Sequence, residues 1–248
     1  MHAHLPSGLP DLLPPVAAAE FRAIHHLLKR FTSYGYAPVI PPMAEYESTL
    51  LEGQGAATAR QVFRFMDPIS REMLGLRADI TTQLARIARQ GLKEAPRPLR
   101  LCYAGYTLRT TPEALRTRRQ HTQIGLELFG ATSASHDAEV IAIACDALAA
   151  LQLTGLSLDL SAPALFAELL HTFPEAQRDT VKEATSRKDA ASLRHLNAAL
   201  LADIVETAGP APQALPALTK LSAANPALAA PLATITAILD ALKAKGLD

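Results

Sequence analysis

Apolar residues first come into register at helical spacing. Phe21, Ile24, Leu28 and Phe31 share one stripe, which predicts an amphipathic helix ending near Tyr34-Gly35. Pro14-Pro15 suits its entry, because a first-turn residue has no use for its N–H. Residues 1–13 before it form a Pro- and Gly-punctuated arm. Residues 36–40 read as a short strand stopped by Pro41-Pro42. The small, polar stretch over residues 52–60 reads as a surface loop. Residues 62–66 and 72–77 are two short strands around Asp67-Pro68, a hairpin signal. Arg77-Ala78-Asp79-Ile80-Thr81 then opens a helix that runs to Gly91, with Asp79 placed as its N-cap.

The clearest pattern spans residues 99–129, two alternating runs (99–109 and 121–129) joined by a long basic loop. In the second run Thr122, Ile124, Leu126 and Leu128 point one way. His121, Gln123, Gly125 and Glu127 point the other, since strand side chains change face at every residue. An amide and a carboxylate in one row on a buried sheet are costly unless water or a ligand satisfies them. Gly105 and Gly125 carry no side chain, which lets a group lie close against the backbone.

Further on, Ser135-His136-Asp137-Ala138-Glu139 caps a helix whose stripe is Val140, Ile141, Ala144, Leu148 and Leu151. Residues 156–160 alternate as another strand. From Pro163 onward alanine and leucine dominate. Pro174, Pro210, Pro212, Pro216, Pro226 and Pro231 divide the run, predicting several helices and no strands to residue 248. The texture has no fixed period, so it is not a repeat.

Composition narrows the class. A chain of 248 residues holds one large domain or two small ones, and 49% hydrophobic residues suffice for a sizeable core. Lys plus Arg equals Asp plus Glu at 24 each, so no global field draws the chain to nucleic acid or anionic membrane. Cys102 and Cys145 lie far apart in apolar context, which predicts buried, reduced thiols in a cytoplasmic protein. No spacing of metal ligands, P-loop, Ser-His pair or acid pair is present, so neither metal nor cofactor is expected. His25-His26 read as surface or interface residues. The N-terminus lacks an apolar signal core, and no uninterrupted apolar run is long enough to cross a bilayer.

Two stretches carry a family resemblance. Tyr103-Ala104-Gly105-Tyr106-Thr107-Leu108-Arg109 and Arg119-Gln120-His121-Thr122-Gln123-Ile124-Gly125-Leu126-Glu127-Leu128-Phe129-Gly130 resemble motif 2 of class II aminoacyl-tRNA synthetases, in the histidyl-tRNA synthetase branch. The first predicted helix, Gly35-Tyr36 with Pro41-Pro42, then Glu45-Tyr46, looks like motif 1, which forms the two-fold dimer interface in that family. The resemblance implies an α+β fold: a class II synthetase-like antiparallel sheet with flanking helices, followed by an all-helical insertion. It places the synthetase-like core at residues 1–161 and the insertion at 162–248. The later strands and motif 3, with its arginine, are expected to be absent from this chain.

The same resemblance assigns residues. Gln123 and Glu127 stand where the family binds histidine, Asp79 and Thr81 where it holds the α-amino group, and Arg109 where an arginine meets phosphate. Arg109 can instead pair with a ligand carboxylate. Asp79 reads equally as a helix cap, and Glu127 as the partner of Arg109 or Arg119 in an internal polar ladder. The acid that serves adenine and metal is replaced: Thr110-Thr111 follow Arg109, and Glu113 comes two residues late. A hydroxyl cannot replace a carboxylate in holding a cation, so the ATP-activating apparatus reads as decayed. Arg116, Arg118 and Arg119 read as a solvated basic loop, and tRNA is not an expected partner.

Residues 76–81 and 103–113 are also similar in wording to the regulatory-subunit family of ATP phosphoribosyltransferase. That resemblance implies a non-catalytic partner of the short-form catalytic subunit in histidine biosynthesis. Such a partner activates the catalytic subunit in a hetero-oligomer, carries histidine as effector, and forms a homodimer through the motif 1 region. The alternatives are a histidyl-tRNA synthetase fragment and a free-standing histidine-binding or dimerisation module.

Overall fold

A computed structural model describes residues 5–53, 59–112, 117–161 and 163–247. The chain divides into two compact units: residues 1–132 with 139–155, and residues 156–248 with 133–138.

The first unit opens with helix α1 (Val16–Ser33), closed by Tyr34 and by Gly35 at φ 85°. Strand β1 (Ala37–Pro38) follows, shorter than the predicted 36–40; Pro38 within it brings no N–H to a ladder. Next come β2 (Ala44–Tyr46), a single turn α2 (Glu47–Leu50), β3 (Phe63–Met66), β4 (Met73–Leu76) and helix α3 (Thr81–Arg89). The long strands β5 (Leu99–Leu108) and β6 (Gln120–Phe129), expected from their alternation, pair antiparallel over ten rungs. Helix α4 (Ala134–Ala150) comes next.

These strands build two three-stranded sheets. One has the order β1-β5-β6, with β1 parallel to β5; the other is the antiparallel β2-β4-β3. The predicted hairpin at Asp67 is formed, its carboxylate accepting from the Ile69 and Ser70 amides and the Ser70 hydroxyl.

The two faces of β5-β6 have different covers. Ile124, Leu126 and Cys102 pack with Leu27, Leu28 and Phe31 of α1, Tyr36, and Ile143 and Ala147 of α4. Bidentate Arg100–Glu139 and the Arg30–Asp146 pair clip that layer from its edge. On the opposite face Ile80 and Leu84 of α3 cover Leu101, Tyr103 and Phe129. The polar row of β6 therefore shares its face with an apolar patch beneath α3.

Three expectations need correction. The stripe of α4 is Ile143 and Ala147, not Val140, Ile141, Ala144 and Leu148; Leu148 is exposed. The helix is apolar around most of its circumference, so periodicity alone does not choose the buried side. Residues 156–160 form no strand, and Leu156 and Leu158 are exposed. An alternating run needs a neighbour to become a ladder, and none is described beside it. Cys145 is half-buried, whereas Cys102 is buried and reduced, its thiol pushed up by burial.

The second unit is helical, as predicted: α5 (Pro163–His171), α6 (Glu175–Ser186), α7 (Ala190–His195), α8 (Ala199–Thr207), α9 (Ala211–Ala224) and α10 (Ala229–Lys243). Its core holds Val181, Ala184, Leu193, Leu201 and Ala202. Asp189 caps α7 by accepting from the Ser192 amide at 3.0 Å. Pro174 and Pro210 precede helices, but Pro216 lies inside α9 rather than ending it. The segment Pro226–Lys243 is long and apolar enough to cross a membrane by length and composition, which corrects the expectation of no such span. Here it packs against α9.

Candidate functional site

Where β5 and β6 meet the start of α3, four of the five predicted ligand residues come together. Gln123 is the hub. Its carbonyl oxygen accepts from the Ile80 amide at 2.9 Å, and its NH2 donates to Asp79 Oδ2 and to Tyr103 Oη, both at 3.2 Å. Asp79 accepts a second bond, from the Thr81 amide at 2.7 Å. Thr81 and Tyr103 face each other, hydroxyl to hydroxyl, at 3.4 Å. Both hydroxyls stand against the Glu127 carboxylate.

Chain geometry explains the assembly. Gln123, Gly125 and Glu127 alternate onto one face, and Tyr103 lies directly across from Gly125. The Tyr103 ring fills the space above that glycine: a Cβ at 125 would stand 2.5 Å from its hydroxyl oxygen. Gly105 plays the same part for the buried guanidinium of Arg77, whose Cζ lies 3.2 Å from where a Cβ would be. The glycines thus make room for the protein's own side chains, Tyr103 and Arg77.

Electrostatics at the site are unbalanced. Burial is the largest influence on Glu127 and raises its pKa above the usual carboxylate range. Hydrogen bonding from Thr81 and Tyr103 opposes the rise, and the Asp79 charge adds to it. Among the described residues, the groups that act on this carboxylate are Thr81, Tyr103 and Asp79, none of them a cation. Burial likewise raises Tyr103, ahead of opposing bonds from Thr81 and Gln123. Gln123 and Glu127 are half-buried, so the row is not sealed from solvent.

Asp79 stands one residue before the N-cap of α3, which is Ile80, and its carboxylate still bonds the first helical amide. Capping and contact with the site thus coexist in one side chain. The internal ladder exists, but with different members: Gln123, Asp79, Thr81 and Tyr103 rather than Glu127 with an arginine. Arg119 turns to the Ser7 carbonyl at 3.2 Å, the Arg109 carbonyl at 3.3 Å and the Phe63 ring at 4.6 Å. Arg109 follows β5 opposite Arg119 and shares the face of Gly105. Four strand residues, about 13 Å, separate it from that rung. Glu113 and Arg116 lie outside the described residues. Thr110 is used structurally, donating through its hydroxyl to the Arg60 carbonyl at 3.0 Å and through its amide to Gln61 at 2.9 Å.

Two residues escape the sequence pattern. Tyr103 could have been found from its place opposite Gly125, since a large ring beside a bare backbone is complementary. Gln83, buried on α3, carries no such signal: a glutamine on an amphipathic helix reads as solvent-facing.

Comparison with known proteins places the chain in a family. Residues 8–246 match the family model described as histidyl-tRNA synthetase. The chain belongs to the histidyl-tRNA synthetase family. Among curated relatives, an ATP phosphoribosyltransferase regulatory subunit of Rhodospirillum centenum is 44% identical over 222 residues, covering 88% of this chain and 58% of that one. One of the same name from Gluconobacter oxydans is 47% identical over 223 residues, covering 88% and 59%. The chain thus spans less than two thirds of the length of these relatives.

Solved structures agree on the fold. One is described as an ATP phosphoribosyltransferase regulatory subunit/histidyl-tRNA synthetase from Bacillus halodurans C. It superposes with a TM-score of 0.84 at 23% identity, covering 99% of this chain and 66% of that one. A histidyl-tRNA synthetase from Nostoc sp. PCC 7120 gives 0.76 at 20% identity, covering 100% and 59%. The class II synthetase-like α+β fold is therefore established, and over most of its length the chain is similar to proteins named as regulatory subunits.

Proposed function

We propose that this protein is a non-catalytic regulatory subunit of ATP phosphoribosyltransferase, binding histidine at Asp79, Thr81, Gln123 and Glu127. Bound to the short-form catalytic subunit, it activates that partner and carries histidine feedback in histidine biosynthesis. It works in the cytoplasm and pairs with a second copy through α1 and β1, without tRNA.

One observation carries the reading: the half-buried Glu127 carboxylate stands beside Asp79 and faces the Thr81 and Tyr103 hydroxyls, a polar, acidic setting on an otherwise apolar face. A carboxylate in that setting favours a cationic or N–H-bearing guest, and an imidazole supplies a charge-assisted bond. The names of relatives at 44% and 47% identity support the partner and pathway. Thr110 and Thr111 after Arg109 support the lack of adenylation, since neither offers the acid that a metal and adenine need. Feedback is then a coupling free energy: histidine must prefer one state of the assembly.

Arg109, kept at the end of β5, favours a second reading, a synthetase fragment that activates histidine with ATP. One experiment separates the two. The chain is mixed with the catalytic subunit, and phosphoribosyl transfer is followed with and without L-histidine, beside histidine-dependent ATP–pyrophosphate exchange. Activation that histidine reverses, with no exchange, supports the regulatory subunit. Exchange without effect on the catalytic subunit overturns it.

A further inference from the structure

Helix α3 has the site at one end and a buried polar network along its side. Gln83 is 1% exposed, and its whole amide is occupied. It donates to the Pro42 carbonyl and to Glu45 Oε1, both at 2.8 Å, and its oxygen faces Arg77 Nη1 at 3.5 Å. One turn on, Arg86 grips the same Glu45 at 2.5 and 3.2 Å. Arg77, also buried, donates to the Pro41 carbonyl at 2.9 Å and to the Tyr106 carbonyl at 2.7 Å. Six side-chain bonds, two each from Gln83 and Arg86 of α3 and from Arg77 just after β4, therefore converge on residues 41–45, the segment that enters β2.

A buried polar group that loses its partner bears its full desolvation penalty. The helix cannot shift by itself: either residues 41–45 follow or the network breaks. At the other end, Asp79 divides one carboxylate between the Thr81 amide and the Gln123 amide. A cation arriving there competes for Asp79 with the first-turn amide of α3. The ligand thus acts on the end of a rigid element whose flank is tied to another part of the fold.

We infer that α3 transmits occupancy of its N-terminal site to residues 41–46, with Gln83 and Glu45 as the positioning residues that carry the link. The inference rests on the histidine-site reading above. Residues 41–46 follow the motif 1 strand, so the link leads from a small-molecule site toward the surface proposed for pairing.

Hydrogen–deuterium exchange of Met43, Ala44, Glu45 and Tyr46, with and without saturating L-histidine, tests it, with binding followed in parallel by calorimetry. Wild type is expected to show a histidine-dependent change of about fivefold or more at these amides, the low end of site-to-site coupling. Glu45→Gln and Gln83→Met are expected to bind histidine and lose that change; Glu45→Gln decides the matter if Gln83→Met does not fold. Histidine binding to wild type with unaltered exchange at 43–46 overturns the link alone, as does an undiminished response in Glu45→Gln. No binding to wild type removes the site reading, and the link with it.

Discussion

At the scale of single residues, Glu127 has opposite effects on stability and on binding. Burial raises its folded-state pKa, so the folded chain holds this proton more tightly than the unfolded one. The stability gained from that proton is complete below the ordinary carboxylate pKa and is lost as pH rises through the raised value. Glutamine cannot lose it. Glu127→Gln is therefore predicted to melt about 2 °C above wild type at pH 7 and level with it near pH 4, in thermal melts without ligand. Gln123→Ala acts the other way. It strips a partner from the Ile80 amide, Asp79 and Tyr103 together, and should cost about 1–3 kcal/mol in urea titrations. Gly125→Ala drives a methyl group into the Tyr103 ring and should cost a similar amount, about 1–3 kcal/mol. The polar row was legible because strand alternation is strict. The occupant of the gap above Gly125 was not, since alternation says nothing of what lies across the ladder.

At the scale of elements, legibility followed how sharply each pattern distinguishes faces. The two strands β5 and β6 came through because their faces differ in polarity, while their register is known only from the structure. The buried side of α4 did not, because alanine and isoleucine surround it. Residues 156–160 alternate without pairing, which shows that alternation is a property of a segment and a strand is a property of two. In α3, Leu84 is fully buried against β5, so Leu84→Ala should lower stability by about 2–5 kcal/mol. α1 offers the contrast. Phe31 is buried, whereas Phe21, on the same predicted stripe, is 73% exposed. An aromatic ring left in water at the motif 1 helix fits the proposed pairing of two copies. Phe21→Arg is predicted to stay folded and to shift the dimer toward monomer in sedimentation velocity; an unaltered distribution counts against that surface.

At the scale of the whole molecule, the two compact units repeat the composition shift read along the chain, from a mixed core to an Ala- and Leu-rich helical region. The chain carries equal numbers of acidic and basic residues, and Arg119 spends its guanidinium on Ser7, Arg109 and Phe63. The family was legible in motif 2 because many residues match at fixed spacing. The buried clasp between α3 and residues 41–45 was not, since it joins polar residues distant in sequence. Everything proposed for this protein depends on histidine entering beside Glu127. Calorimetric titration of L-histidine into wild type and Glu127→Ala at pH 7 tests that most directly. A saturable heat with wild type that vanishes in the folded variant is the predicted result. Equal heats in both, or none in either, would contradict it.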